Sequence, residues 1–210
     1  MKRILIADDH ALVRKGLVQV VADAMDLEVA GEAATGSDVI DMLRSDPYDV
    51  VVLDLNMPGQ SGLDTLKQIN AEFEEIPILV LSMHSEEQYA VRVLRAGAAG
   101  YLTKESAPEQ LVNAIRRVAD GHRYLSPTAA DLLIGFLDGD QSGPPHESLS
   151  DREFQVMKML SSGKSVMEIG EILSLSVKTV STYRSRVMSK MNMSSNAELA
   201  RYALENDIIV

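Results

Sequence analysis

The sequence predicts an α/β chain in which a doubly wound, five-stranded parallel sheet precedes a smaller, all-α domain. Within residues 1–121, five short apolar runs alternate with five segments of helical periodicity. The runs are apolar throughout, as in Val50–Leu53, which is typical of strands that helices cover on both faces. From Leu149 onward the pattern contains helices only. These observations indicate two domains of different architecture.

The elements of the first domain follow in strict alternation. The predicted strands are Arg3–Ala7, Glu28–Ala33, Val50–Asp54, Ile78–Ser82 and Gly100–Thr103. The predicted helices that follow them are Ala11–Met25, with Leu12 on its apolar face, Ser37–Leu43, Leu63–Phe73, Glu86–Arg95 and Pro108–Asp120. Such alternation predicts a parallel sheet whose ligands bind outside the carboxyl ends of the strands.

A linker and a helical domain complete the chain. Residues 122–148 are predicted to be a linker that includes a short helix, Thr128–Leu137, and a stretch rich in Gly, Pro and Ser at Asp138–Glu147. Residues 149–210 are predicted to form helices that begin at a Ser150–Glu153 capping box. The further boundaries are a helix end at Gly163, a helix capped by Ser165, a tight turn at Leu173–Ser176, and helices over Val177–Met191 and Ala197–Leu204.

Charge is distributed unevenly between the domains. The whole chain carries −11, but residues 1–148 hold 12 Lys and Arg against 24 Asp and Glu, whereas residues 149–210 hold 8 against 7. No acidic residue lies between Glu171 and Glu198. Because phosphates respond to local charge, the acidic total does not exclude nucleic acid as a ligand of the second domain. The absence of cysteine, of a signal segment and of a long apolar run favours a cytoplasmic protein without membrane attachment.

Polar residues stand at the carboxyl ends of four predicted strands. They are Asp8, Asp9, Asp54, Ser82 and Lys104. Three converging carboxylates favour Mg²⁺, a hydroxyl and an ammonium beside them suit a phosphoryl group, and an aspartate can itself accept phosphoryl. Taken singly, each residue has an ordinary interpretation as a helix cap, a turn residue, a loop hydroxyl or a surface charge. Their coincidence at one edge of the sheet favours the functional interpretation.

The helix predicted over Val177–Met191 has two contrasting faces. Val180, Tyr183, Val187 and Met191 form an apolar stripe. The opposite face carries small donors and bases, namely Lys178, Ser181, Thr182, Ser185, Arg186 and Ser189. A face with hydroxyls, cations and no acid suits a helix that enters the major groove of DNA. The alternative is an ordinary solvated face, although such faces usually mix both signs of charge.

The first domain resembles the receiver domain of response regulators, which is flavodoxin-like. The motifs "ILIADDH", "VVLDLNMPGQSGLD", "ILVLSMH" and "GAAGYLTKES" carry the resemblance in order and spacing. It implies that Asp54 is the phosphoacceptor, and that Asp8 or Asp9, above all Asp9, binds Mg²⁺ with Asp54 and the backbone carbonyl of Asn56. It also implies that Ser82 and Lys104 contact the phosphoryl oxygens and that Tyr101 is an aromatic switch residue, whereas the residues alone equally allow a half-buried strand aromatic.

The second domain resembles the LuxR-type helix-turn-helix of the NarL/FixJ group, on the motifs "LSDRE", "EIG" and "LSVKTV". The resemblance implies a recognition helix at Lys178–Met191, although Ser181 and Tyr183 stand where the family often has Lys and His. Residues expected to contact the groove are Lys178, Ser181, Thr182 and Ser185, and those expected to contact phosphates are Arg184, Arg186 and Lys164. Relatives dimerise through the last helix, which implicates Leu199, Tyr202 and Ala203; the alternative is that these three close a small core.

Together these features predict a phosphorylation-dependent transcriptional regulator. Its expected partners are a sensor histidine kinase, double-stranded promoter DNA and a second copy of the chain. No turnover of a small molecule is expected. The phosphorylated protein is expected only to dephosphorylate itself. Two alternatives are a Mg²⁺-dependent phosphatase, which the presence of Asn56 in place of a second acid disfavours, and a helical domain that binds a protein instead of DNA.

Overall fold

Five parallel strands form one sheet in the first part of the chain, in the order β2-β1-β3-β4-β5. In a computed structural model that describes residues 1–58, 60–106, 108–137, 144–173, 175–206 and 208–209, the strands are β1 (Lys2–Ala7), β2 (Leu27–Ala33), β3 (Val50–Asp54), β4 (Ile78–Ser82) and β5 (Gly100–Thr103). The predicted parallel α/β architecture is confirmed. This sheet belongs to a compact unit, Met1–Asp138, and a second unit comprises Gly139–Val210.

Helices cover both faces of the sheet. They are α1 (Ala11–Ala22), α2 (Gly36–Ser45), α3 (Gly62–Glu72), α4 (Glu86–Arg95), α5 (Pro108–Ala119) and α6 (Pro127–Leu137). Every residue of β3 and β4 is buried, and alternate residues point into two separate cores. Val51 and Leu53 pack with α2, α3 and α4, whereas Val50 and Val52 pack with α1 and α5. Burial on both faces explains why these strands are apolar at every position except the last.

Helix α1 differs from its prediction at its end and on one face. It ends at Ala22 rather than Met25, because the chain turns so that the backbone N–H of Leu27 donates to Ala24 O and enters β2. Leu12, which the periodicity assigns to the apolar face, is 85% exposed. The core contacts of α1 are made by Val21, which is completely buried, and by the partly buried Leu17, Val18 and Val20.

Residues 122–137 belong to the first unit and pack beside β5 and α4. The backbone N–H of Tyr124 donates to Ala99 O at 2.9 Å and extends the sheet edge beside β5. Ser126 Oγ donates to the Glu86 carboxylate at the start of α4, and Ala129 of α6 is completely buried. The predicted short helix is therefore present as α6, and this half of the predicted linker is part of the unit that contains the sheet. Residues 138–143 of the predicted linker lie outside the described residues.

The second unit is helical throughout its described residues. A short 3₁₀ helix (Pro145–Ser148) precedes α7 (Asp151–Ser161), α8 (Val166–Leu173), α9 (Val177–Met191) and α10 (Asn196–Glu205). The Ser150–Glu153 capping box is present at the start of α7. Gly170 allows α8 to approach the following turn, because a Cβ there would lie 2.8 Å from Leu175 O. Ser174 of that predicted turn lies outside the described residues.

Candidate phosphoacceptor site and nucleic-acid interface

The carboxyl edge of the sheet holds a buried cation between two carboxylates. Asp8 follows β1, Asp54 ends β3 and Lys104 follows β5. The side chains of Asp8 and Asp54 are 1% exposed and that of Lys104 is 7% exposed. Lys104 Nζ donates to Asp8 Oδ2 at 2.6 Å and to Asp54 Oδ2 at 2.8 Å. Because the strands are all parallel, their carboxyl ends lie at one edge of the sheet, and there residues 96 positions apart in sequence meet.

The ammonium of Lys104 is stabilised in its charged form. Burial lowers the pKa of Lys104, but the hydrogen bonds to Asp54 and Asp8 outweigh burial, so the pKa lies above its ordinary value. Lys104 therefore remains protonated at neutral pH. A fixed positive charge beside the Asp54 carboxylate is suited to binding the oxygens of an anionic group.

An acidic pocket formed by Asp8, Asp9, His10 and Asp54 lies beside this cation. Asp9, whose side chain is 29% exposed, has a buried Oδ1 that forms no hydrogen bond with the described residues, although His10 Nδ1 lies 2.7 Å away. One ligand atom each from Asp8, Asp9, His10 and Asp54 lies within 4.8 Å of the others. Carboxylate oxygens are the ligands that Mg²⁺ prefers, so the residues of this pocket fit that ion. The Asn56 backbone N–H donates to Asp54 Oδ1 at 3.2 Å.

Ser82 and Tyr101 both form hydrogen bonds with the main chain of His84, in the loop that follows β4. Ser82 is completely buried, and its Oγ accepts a hydrogen bond from the His84 backbone N–H at 3.2 Å. Tyr101 is also completely buried, and its hydroxyl donates to His84 O at 2.7 Å. The His84 ring stacks on Tyr89, with 4.6 Å between centroids, and its Nε2 lies 3.4 Å from Asn56 Nδ2. One loop thus connects the serine, the tyrosine and the turn after Asp54.

Two contributors to this site escape prediction from the sequence. Arg14 of α1 donates through Nη1 to Asp8 O at 2.5 Å and through Nε to Glu32 Oε2 at 3.1 Å, so it fixes the backbone of the acidic turn. His10 directly follows the two acids in "ADDH", and its backbone N–H donates to Asp8 Oδ1 at 2.8 Å. The proximity of His10 to the acids in sequence is a signal that could have identified it. The contact of Arg14 with Asp8 O can be identified only when the position of α1 in the structure is known.

Helix α9 presents the predicted polar face to solvent. The exposed residues of that face include Lys178, Ser181, Thr182, Ser185 and Arg186. Thr182 and Ser185 donate their hydroxyl hydrogens to the carbonyls of Lys178 and Ser181, at 3.0 Å each, so that their oxygen lone pairs remain available as acceptors. On the opposite side, Val180, Val187 and Met191 are buried and Tyr183 is half-buried.

The predicted phosphate contacts have different surroundings. Arg184 is half-buried, and its Nε donates to Asn196 Oδ1 at 3.0 Å. This bond fixes the guanidinium near the start of α10. Lys164 is exposed just before α8. The helix α9 itself contains no acidic residue.

The residues proposed for dimer contact lie mainly inside the second unit. Leu199 and Ala203 of α10 are completely buried in its core. Tyr202 is half-buried, and its hydroxyl lies 2.8 Å from His146 Nδ1. Leu199 and Ala203 therefore close the small core, which was the alternative interpretation, and they present no surface to a second copy. On α10, Leu204 is exposed and remains available for such a contact.

Two family descriptions match the two units. Residues 4–116 match "Response regulator receiver domain", and residues 147–203 match "Bacterial regulatory proteins, luxR family". Response regulator UvrY of Escherichia coli (strain K12) is 39% identical over 209 residues, which cover 99% of this chain and 96% of that protein. Response regulator GacA of Pseudomonas aeruginosa is 38% identical over 210 residues, covering 100% and 98% of the two chains.

Solved structures of RcsB resemble the chain over nearly its entire length. RcsB from Salmonella enterica serovar Typhimurium, bound to promoter rprA in the presence of phosphomimetic BeF3⁻, has a TM-score of 0.75 and 26% identity, and covers 96% of this chain and 97% of its own. A structure of two RcsB dimers bound to two parallel DNAs has a TM-score of 0.61, also at 26% identity, covering 97% and 98%. Among the described residues no helix combines the length and the apolar character that crossing a membrane requires. The matches to both family descriptions and to full-length relatives establish that this chain belongs to the two-component response regulators that combine a receiver domain with a LuxR-type DNA-binding domain.

Proposed function

We propose that Asp54 accepts a phosphoryl group from a sensor histidine kinase or a small acyl phosphate, and that this modification controls DNA binding by α9. The observation that carries the proposal is the buried ammonium of Lys104 between Asp8 and Asp54, at 2.6 and 2.8 Å. A cation in this position stabilises the anionic product as well as the carboxylate that precedes it. Membership of the family supports a role in transcription rather than in small-molecule catalysis.

The proposed transfer is an in-line displacement at phosphorus. An Asp54 carboxylate oxygen forms the new O–P bond while the bond from phosphorus to the donor's nitrogen or oxygen breaks, and the leaving atom keeps the bonding electron pair. Lys104 and the Ser82 hydroxyl bind the phosphoryl oxygens in this proposal. Mg²⁺, when held by Asp8, Asp9, Asp54 and the Asn56 carbonyl, neutralises the charge on the transferred group. Water later hydrolyses the acyl phosphate on the protein itself, which is the autodephosphorylation we expect.

The proposed switch is the loop that follows β4. Ser82 Oγ and the Tyr101 hydroxyl both bind His84 main-chain atoms. If Ser82 moves toward a phosphoryl oxygen, the His84 amide loses its acceptor, and the loop and Tyr101 must rearrange together. Phosphorylation thereby biases a two-state element, which is how a local charge change acts at a distance.

The proposed DNA contact places α9 in a major groove. Lys178, Ser181, Thr182 and Ser185 face base edges, because they are exposed on one side of the helix. Arg184, Arg186 and Lys164 are assigned to phosphates. RcsB structures with promoter DNA and with RcsB dimers on DNA support both DNA and a second copy as partners. For this chain we assign the dimer contact to Tyr202 and the exposed Leu204 of α10. We also propose a cytoplasmic location, because promoter DNA is the proposed partner.

The test is selection of genomic fragments by the full-length protein, with and without a phosphoryl donor and Mg²⁺, at a fixed salt concentration because phosphate contacts are salt-dependent. Asp54→Asn is the control that cannot be phosphorylated. We expect enrichment of a paired motif only when Asp54 is intact and the donor is present. Equal enrichment under all conditions would refute the switch, and no enrichment under any condition would refute DNA as the partner and leave the protein-binding alternative.

A further inference from the structure

We propose that Arg14 is a positioning residue for phosphoryl transfer, because it fixes the peptide that joins Asp8 to Asp9 and thereby directs the Asp9 carboxylate toward the other acids of the site. The inference rests on the proposed function, since it concerns the same site. It goes beyond that function by giving a role to a residue of α1. Arg14 is not itself among the proposed ligands of Mg²⁺ or of the phosphoryl oxygens.

Arg14 joins three elements of the first unit. From the start of α1, its Nη1 donates to Asp8 O, just after β1, at 2.5 Å. Its Nε donates to Glu32 Oε2, on β2, at 3.1 Å. The arginine side chain is only 18% exposed. Because the guanidinium is planar and presents its N–H groups in a rigid fork, the two bonds together fix its orientation.

Asp8 is held through each of its polar groups, and Arg14 holds its carbonyl. The backbone N–H of Asp8 donates to Ala33 O at 3.1 Å. Its carboxylate accepts from the His10 backbone N–H at 2.8 Å and from Lys104 Nζ at 2.6 Å. The bond from Arg14 completes this set at the carbonyl oxygen, which is the point where the chain leaves β1.

The direction of the Asp8 carbonyl determines where Asp9 lies. A peptide unit is planar, so the carbonyl of Asp8 and the N and Cα atoms of Asp9 lie in one plane. The Asp9 side chain is 29% exposed, and one of its oxygens must stay within reach of Asp8 and Asp54. Because ligand sets of this kind require placement to within about 0.5 Å, loss of the bond from Arg14 should weaken the site although every ligand remains.

Two simpler interpretations predict other results. If Arg14 acted through its charge alone, its removal would strengthen Mg²⁺ binding, because two cations repel each other. If the pair of Arg14 with Glu32 only stabilised the fold, its loss would leave the Mg²⁺ affinity of the folded protein unchanged. Weaker Mg²⁺ binding without Arg14 is therefore the result that positioning alone predicts.

The experiment is an NMR titration of the full-length protein with MgCl₂ at neutral pH, which follows the backbone amide signals of Asp9 and His10. The proteins are the wild type, Arg14→Gln, Arg14→Lys and Arg116→Gln. Arg116 is the matched control, because it binds the Asp26 carboxylate through two bonds, at 2.8 and 2.6 Å, before β2 and so at the opposite edge of the sheet.

We expect Arg14→Gln to raise the dissociation constant of Mg²⁺ about tenfold, as is typical when a residue that orients a metal ligand is lost. Arg14→Lys keeps the charge but lacks the planar fork that reaches two acceptors, so we expect a rise of about threefold or more. Arg116→Gln should change the constant by less than about twofold, since it alters an exposed pair far from the site.

Phosphorylation kinetics separate positioning from chemistry. With a small acyl phosphate as donor and intact mass as the readout, Arg14→Gln should need about tenfold more Mg²⁺ for its half-maximal rate. At saturating Mg²⁺ its rate should lie within about threefold of the wild type, because Asp54, Lys104 and Ser82 are unchanged.

A Mg²⁺ dissociation constant that is unchanged or lower in Arg14→Gln would overturn the proposal. If that variant does not fold, the same result in Arg14→Lys would overturn it. A wild-type protein that takes up no phosphoryl group at any Mg²⁺ concentration would refute the proposed function instead. The NMR titration needs no phosphoryl donor, so it decides the role of Arg14 separately.

Discussion

Replacement of Lys104 by methionine tests how much the buried cation stabilises the first unit. At an effective dielectric constant of about 20, each of its two ion pairs contributes roughly 6 kcal/mol of Coulomb energy before desolvation is subtracted. Removal of one partner of such a buried pair typically costs about 3–5 kcal/mol. The two carboxylates that remain are only 1% exposed, so their repulsion is not relieved by water.

Loss of the ammonium leaves the two buried carboxylates without the cation that lies between them. We therefore expect Lys104→Met to lower the free energy of unfolding by about 3–5 kcal/mol at pH 7. In the wild type, the pKa of Lys104 is raised on folding. Its contribution is consequently present below the unfolded pKa and is lost as the pH rises through the folded one.

The assay is native-state hydrogen exchange of the β3 and β4 amides in the full-length protein, in metal-free buffer at pH 7. These amides report on the first unit alone. Lys2→Met is the control, because Lys2 forms an exposed pair with Asp120 at 3.5 Å and its loss should cost less than about 1 kcal/mol. A Lys104→Met protein as stable as the wild type at pH 7 would refute the reasoning.

Two further substitutions test packing and capping. Gly36→Ala places a Cβ about 2.2 Å from Thr65 Oγ1 and should cost about 1–3 kcal/mol; the penalty should shrink in a Thr65→Ala background, and additive effects in the double-mutant cycle would contradict the clash. Glu153→Gln replaces a buried carboxylate that accepts hydrogen bonds from Lys190 Nζ at 2.6 Å and from the Ser150 amide. It should lower the free energy of unfolding by about 1–3 kcal/mol at pH 7. Burial raises the pKa of Glu153, but these bonds outweigh it and the pKa is lowered, so the effect should fade as the pH drops through the folded pKa. Urea unfolding over a pH series measures it, with a pH-independent loss as the contrary result.

Sequence patterns predict the parts of this fold in which local and tertiary preferences agree. Strand β3 is recognisable because its burial on both faces requires an uninterrupted apolar run. The end of α1 is not recognisable in the sequence, since Ala24 and Met25 continue the helical pattern although the chain already turns toward β2 there. The prediction that Leu12 lies on a buried face is wrong for a related reason. Periodicity identifies an apolar residue but does not reveal whether a neighbouring element covers it.

The candidate site divides in the same way. Asp8, Asp54 and Lys104 follow from the rule that parallel strands end at one edge. The contact of Arg14 with Asp8 O depends on the crossing of α1 over that edge, which no local pattern encodes. On α10, the apolar spacing of Leu199 and Ala203 is the same for a residue buried in its own core and for one buried against a second copy. Only the three-dimensional structure distinguishes these two situations.

The hydrogen bond between Tyr124 and Ala99 has a consequence for how the chain can be divided. Strand β5 is an outer strand of the sheet, and an uncovered outer strand offers its free amides and carbonyls to other molecules. A fragment cut after Gly121, where the alternation of strands and helices ends, would lose that cover together with α6 and would be prone to self-association. A fragment that continues to Leu137 retains both, so we expect it to be the more soluble of the two fragments.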